Sequence, residues 1–264
     1  MVPGDRDSSQ HVQSVERVFA VIRTFGGDNP SLTLSEVAKR AGLTRATARR
    51  LLLTLESLGY VGSRGRAFFL RPRMLDLGFA YLASVPVWGV VQGHLEILVQ
   101  RVMESSSASV LDGPDIIYTV RVPTKRIMSI QIEVGTRLPA FATSMGRVLL
   151  ASLGEEELES YLGEASLTRL TSQTLTTPDQ LRKTLDVVRE QGWCMLDQEL
   201  EIGVRSIAVP LHDSVGRVFA AANISTQAAR VPAEQLQQEI LPQLLDSAKA
   251  IDDDIVALRW EQER

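Results

Sequence analysis

The chain carries a single cysteine, Cys194, among its 264 residues, so no intrachain disulfide can staple it. Its three histidines, His11, His94 and His212, are too widely spaced to resemble a zinc-ligand pattern, and no metal or other cofactor is expected. No apolar run approaches the roughly 20 residues of a membrane-spanning helix. The polar, acid-bearing stretch from Met1 to Gln10 also lacks the apolar core of a signal peptide. A cytoplasmic protein with no membrane contact is the expectation. Equally missing are GxxxxGK(S/T), GxSxG, HExxH and GxGxxG patterns, and scattered histidines offer no obvious base for a nucleophile. A catalytic role therefore has no support in the sequence.

What is present points to an ordinary globular protein, since 44% hydrophobic residues supply a core and 23% charged residues a solvated surface. The length exceeds the usual single-domain range of about 100 to 150 residues, so two domains joined by a linker are expected. The net charge of -4 conceals an asymmetry: residues 1–73 hold 12 Lys and Arg against 6 Asp and Glu, and the remainder hold 16 against 26. A basic module attached to an acidic body suggests that only the first segment meets a polyanion such as double-stranded DNA.

Within that segment, Val15, Val18, Phe19, Ile22 and Phe25 recur at intervals of three and four and predict a helix over 14–25, stopped by Gly26 and Gly27. Thr33 and Glu36 have capping-box spacing ahead of a short helix with Val37, Ala38 and Ala41 inward. After Gly42, Thr44 is placed to cap a third helix to Leu58, with Ala48, Leu51, Leu52, Leu55 and Leu58 on its inner face. Two helices about a Gly-containing turn make a helix-turn-helix. The candidate DNA-contacting residues are Thr44, Arg45, Thr47, Arg49 and Arg50, because arginine forks onto guanine and threonine approaches thymine methyls or phosphates. Two short strands, 60–61 and 67–70, around Gly62 to Arg66 read as a wing whose Arg64 and Arg66 reach backbone phosphate.

Residues 74–86 read as a linker helix with an apolar pattern from Met74 to Leu82. Such a helix between compact domains needs a partner surface, and self-association into a homodimer would supply it while spacing paired DNA half-sites. Residues 87–264 then interleave elements: a helix over 87–103, strands over 107–111, 116–122, 127–134, 204–210 and 218–225, helices over 142–153 and after Pro178, and a last helical stretch over 233–264 broken near Pro242. The fold class expected is α+β, with a winged helix-turn-helix over 1–73 and a larger domain built on a mixed sheet, spacious enough for a ligand-sized pocket.

The stretches LTLSEVAKRAGLTRATARRLLLTLESLGYV, RLPAFATSMGRVLLA and LDQELEIGVRSIAVPL resemble the IclR family of bacterial regulators, from Ser14 through the C-terminal helix. RVPTKRIMSI and TSMGRVLLA resemble its subgroup for aromatic-acid catabolism through protocatechuate and β-ketoadipate. The resemblance implies a GAF-like effector domain, a dimer that often pairs into a tetramer, and control of a catabolic operon by a small organic acid, either aromatic or dicarboxylic. Carried over by position, it implies an effector pocket of Ser144, Met145, Asp197, Ser206, Asn223 and Ser225, with Leu196 as the alternative to Asp197. Such a set suits a carboxylate, which helix-start N–H groups attract and Ser and Asn orient. Acid-binding members have Gly-Ala at Ser144-Met145 and cysteine at Ser206, so a different effector is implied. Arg121, Arg126 and Arg137 are further candidates to neutralise an anion, or plain surface charge, and Cys194 is either a redox switch or a buried core residue. A second reading of the chain is a ligand-binding or catalytic protein whose N-terminal module mediates protein contacts.

Overall fold

The computed structural model describes residues 12–26, 29–124 and 132–262. Gly27, Arg126, His11 and most of the strand expected over 127–134 lie outside the described residues, and 132–134 form no strand. Contacts divide the chain into two compact units, Met1–Ser84 and Val85–Arg264.

The first unit holds α1 (Gln13–Ile22), β1 (Leu32–Thr33), α2 (Leu34–Arg40), α3 (Arg45–Ser57), β2 (Val61–Arg64), β3 (Ala67–Leu70) and α4 (Leu75–Ser84). The capping box forms: Thr33 N donates to Glu36 Oε2 at 2.7 Å, and Glu36 N donates to Thr33 Oγ1 at 3.4 Å. Thr44 caps α3 by accepting from Thr47 N, and Gly42 sits at φ +65°, the left-handed conformation that lets α2 turn into α3. The core gathers Val21, Phe25, Leu32, Val37, Leu51, Leu52, Leu55 and Val61. Leu58, expected on the inner face of α3, is instead 52% exposed because the helix has already ended at Ser57, and of the apolar residues that predict α1, Val15 and Phe19 lie on its outer side. The wing is a three-stranded sheet in the order β1-β3-β2, and β1 was too short to leave a sequence pattern. Helix α4 buries none of its residues.

The second unit opens with α5 (Val87–Val102), followed by β4 (Ser105–Asp112), β5 (Asp115–Val122) and β6 (Arg137–Pro139). Next come α6 (Ser144–Ala151), α7 (Glu155–Glu164) and α8 (Pro178–Gln191), then β7 (Cys194–Asp197), β8 (Val204–His212) and β9 (Val218–Gln227). Finally α9 (Ala233–Gln235) passes through a π-helical turn at Leu236–Ile240 into α10 (Leu241–Leu258), whose start carries Pro242. The six strands run in the order β6-β5-β4-β9-β8-β7 with every pairing antiparallel. The sheet expected to be mixed is therefore purely antiparallel. Interleaved helices had suggested parallel crossovers, but α6 to α8 connect β6 to β7, the two edges of the sheet, rather than neighbours.

Helices α5 and α10 cover one face of this sheet and α6 the other, with α8 packed on α6. The strands are accordingly buried almost throughout, and the small run Ala220-Ala221-Ala222 in β9 admits helices closely on both faces. Cys194 belongs to this core, and burial pushes its thiol up to about 12, which removes the thiolate that redox chemistry requires.

Candidate DNA surface and effector cavity

On the first unit, Arg45, Arg49 and Arg50 project from the first turns of α3 and are exposed, with Thr44 at its cap and Thr47 half-buried beside it. The two threonines bond to each other, Thr44 Oγ1 donating to Thr47 Oγ1 at 2.9 Å. Arg64 and Arg66 are exposed around Gly65, where φ is +62° at the tip of the β2–β3 hairpin. Among the described residues none of these five arginines pairs with a carboxylate, so their charge is available to an external anion. The wing is tied to α3 by Ser63 Oγ, which donates to Glu56 Oε1 at 2.6 Å.

In the second unit a cavity of about 430 Å³ lies between the sheet and α6. The strands supply much of its wall, and α6 presents its first residue, Ser144, to it. Gly146 lets this helix descend onto the 3-10 turn Ala140–Ala142, where an added Cβ would lie 2.1 Å from Ala140 O. The whole of α6 is buried, including Arg147 at 2% exposure. A buried guanidinium is tolerable only when paired, and Arg147 makes a bidentate pair with Glu199 at 2.9 and 2.5 Å while its Nε donates to Phe141 O. Glu199 in turn holds the loop between β7 and β8: its carbonyl accepts from Thr174 Oγ1, and Leu175 N donates to its carboxylate. That loop turns through Gln198, which adopts φ +60° and accepts from Gly203 N through its side chain.

The structure brings Ser144, Ser206, Asn223 and Ser225 together on the cavity wall. Met145 and Asp197 do not line it. Met145 points into the core and accepts from Ser109 Oγ at 3.3 Å, since residues one apart on a helix face different ways. Asp197 follows Leu196 on β7; alternation turns Leu196 to the cavity and Asp197 to the opposite side, where it pairs with Arg205 at 2.8 Å. That guanidinium holds the Asp197 carboxyl below its usual range. Arg137 is also committed elsewhere, to Asp112 and Asp115.

Two atoms of the cavity wall are orphaned. Ser144 Oγ and Asn223 Oδ1 are buried and, among the described residues, have no hydrogen-bond partner. Leaving a buried polar atom unpaired costs about 1–3 kcal/mol, so the two atoms are ready hydrogen-bonding points for a polar ligand. The N-terminus of α6 opens at the same point, with Thr143 capping it through Gly146 N. Tyr118, which sequence reasoning passed over, adds a phenol that burial raises to about 12 and therefore keeps protonated as a donor. Leu138, Ala142, Leu170, Leu196 and Leu200 supply apolar wall. Glu199 and Glu201 also line the cavity, the first with its charge met by Arg147, and hydroxyl donors beside hydrocarbon fit an organic acid. Among the described residues no group of His, Cys, Asp and Glu is arranged to hold a metal. No single helix there is long and apolar enough to cross a membrane.

Comparison with known proteins finds relatives for both units. Residues 14–65 match the IclR helix-turn-helix domain, and residues 79–253 match the C-terminal domain of the bacterial transcriptional regulator IclR. The chain is 43% identical over 247 residues to the Pca regulon regulatory protein of Pseudomonas putida, covering 93% of this chain and 84% of that one. It is 32% identical over 249 residues to the p-hydroxybenzoate hydroxylase transcriptional activator of Acinetobacter baylyi, covering 92% of each. Among solved structures, an IclR homologue from Microbacterium hydrocarbonoxydans complexed with 4-hydroxybenzoate superposes with a TM-score of 0.80 at 28% identity, covering 92% of this chain and 99% of that one.

Proposed function

Since the chain belongs to the IclR family of bacterial transcriptional regulators, we propose that it binds operator DNA as a homodimer and regulates a catabolic operon in response to an organic acid held in the cavity beneath α6. The observation that carries this reading is the orphaned hydroxyl of Ser144 at the N-terminus of α6, a donor for a carboxylate, with the orphaned acceptor Asn223 Oδ1 on the same cavity wall for a hydroxyl of the same ligand. Relatives named for aromatic-acid regulons and the neighbour complexed with 4-hydroxybenzoate support the ligand class.

In this reading Arg45, Thr47, Arg49 and Arg50 enter the major groove from α3 and Thr44 approaches the backbone, while Arg64 and Arg66 grip phosphate beside it. The homodimer is supported by α1 and α4, which leave Val15, Phe19, Leu75, Leu77 and Phe79 exposed. Pairing of dimers into a tetramer extends the same proposal. Ser144, Ser206, Asn223, Ser225 and Tyr118 contact the acid; Met145 shapes the helix that presents Ser144, and Asp197 fixes β7 through Arg205.

The test is salt-dependent binding to the intergenic DNA upstream of its own gene. Removing both arginines with Arg45→Ala and Arg49→Ala should weaken binding by tenfold or more and flatten the salt dependence by about two charges. Unaltered affinity would remove α3 from the interface. Absence of binding to any such fragment above nonspecific background would favour a protein-contact role for the N-terminal unit.

A further inference from the structure

The outer side of α3 holds more than its arginines. Ala48, Leu51, Leu52 and Leu55 are buried and seat the helix on the core. At 3.6 residues per turn, the row directly opposite them is Ala46, Arg50, Leu53 and Ser57. All four are exposed. Arg45 and Arg49 stand to one side of that row, and Thr47 and Thr54 to the other. The same face carries a shallow depression lined by Ala46, Arg49, Arg50, Leu53, Thr54 and Ser57. A helix that lies in a groove with its core side outward therefore points this row at the groove floor, with the arginines of the neighbouring row on its flank.

Two members of the row are apolar, and the fold does not require them. Leu53 is 40% exposed and, among the described residues, is not one of the side chains packed on the core of this unit. One exposed leucine is ordinary on a protein surface. This one lies a single helical turn from Arg49 and Arg50, whose charges no carboxylate meets among the described residues. The hydroxyls beside it are already spent as donors on the helix itself: Thr54 Oγ1 donates to Arg50 O at 2.9 Å, and Ser57 Oγ to Thr54 O at 2.8 Å. Thr47 is half-buried, and its hydroxyl accepts from Thr44 Oγ1. What this row offers to base edges is thus one guanidinium between two hydrocarbon groups. In the major groove guanine presents O6 and N7 to an arginine, and thymine alone presents a methyl group.

We infer that Ala46 and Leu53 determine operator specificity by contacting thymine methyls on either side of a guanine held by Arg50. Ala46 lies one turn before Arg50 and Leu53 one turn after, about 5 Å along the helix in each direction, and successive base pairs are about 3.4 Å apart. The thymines therefore fall within about two base pairs of the guanine. This rests on the reading of α3 as the groove helix and assigns the bases that it recognises.

The test uses the full-length protein and the fragment upstream of its own gene, prepared once with thymidine and once with deoxyuridine at every thymidine, which removes the 5-methyl group and leaves base pairing intact. Wild type should bind the thymidine fragment about tenfold or more tighter, since burying one methyl is worth about fourfold and each α3 meets two. Leu53→Gln exchanges one good helix former for another at an exposed position. It should cut the ratio by about fourfold or more, weakening the thymidine fragment while binding the deoxyuridine fragment as wild type does, which also reports an intact fold. Arg45→Ala with Arg49→Ala should weaken both fragments alike. Equal binding of the two fragments by wild type would overturn the inference, as would a ratio undiminished in Leu53→Gln or a Leu53→Gln chain that loses affinity for both alike. Equal binding that still falls with Arg45→Ala and Arg49→Ala leaves the groove-helix reading standing; no binding to the thymidine fragment above nonspecific background overturns both.

Discussion

Ser144 and Asn223 carry opposite obligations in the free and liganded protein, and that conflict can be measured. Among the described residues each holds a buried polar atom without a partner, a stability cost that a hydrogen-bonding ligand relieves. Ser144→Ala and Asn223→Leu should each leave the ligand-free protein as stable as wild type or more stable, by up to about 1 kcal/mol, while diminishing the acid-induced rise in melting temperature. A loss of stability without acid would show that these atoms are already satisfied. A different titration governs His212. Its Nδ1 lies 2.7 Å from Asp252 Oδ2, and that hydrogen bond, reinforced by the nearby charges of Asp252 and Asp213, raises its pKa above 6.5. A raised folded-state value means the stabilisation is complete below about pH 6.5 and fades as pH rises through the folded pKa. Asp252→Asn, which keeps an acceptor for His212 N, should therefore destabilise at pH 6 by about 0.5–1 kcal/mol, discounted because the pair is partly exposed, and by little at pH 9. Equal loss at both pH values would mean His212 is not charged in the fold. Sequence reasoning identified Ser144, Ser206, Asn223 and Ser225, which all reach the cavity. It missed Tyr118, because a tyrosine in a strand buried on both faces carries no local mark of lining a cavity.

The recognition module was legible at the level of the element because its signals are local. Caps at Thr33 and Thr44 are satisfied by residues three positions on, and the inner face of α3 follows helical spacing. The sheet was less legible. Strands buried on both faces lose the alternation that marks a half-exposed strand, and their order depends on contacts far apart in sequence. Helix α4 is the element with an unmet requirement: Leu75 is 71% exposed and Phe79 70%. If a second copy covers it, Leu75→Glu with Phe79→Glu should shift the protein from dimer toward monomer in sedimentation and weaken binding to a two-half-site operator by tenfold or more, leaving acid binding in the second unit intact. An unchanged dimer would assign its interface elsewhere.

The charge division of the whole chain, +6 over residues 1–73 and -10 beyond, confines affinity for a polyanion to the first unit. Composition could show that two tasks are separated, but not how one informs the other. Coupling requires that the acid bind two states of the protein with different affinity, since a ligand indifferent to both shifts nothing. The ties from α6 through Arg147 to Glu199 connect the cavity wall to the β7–β8 loop, the contacts through which occupancy at Ser144 would have to act. Transcription from the promoter beside its own gene, measured in vitro with and without an acid that raises the protein's melting temperature, tests the central claim most directly. The account predicts at least a fivefold acid-dependent change in transcript with wild type, and none with Arg45→Ala, Arg49→Ala or with Ser144→Ala, Asn223→Leu. Transcript output that ignores the acid while the acid demonstrably binds wild type would contradict it.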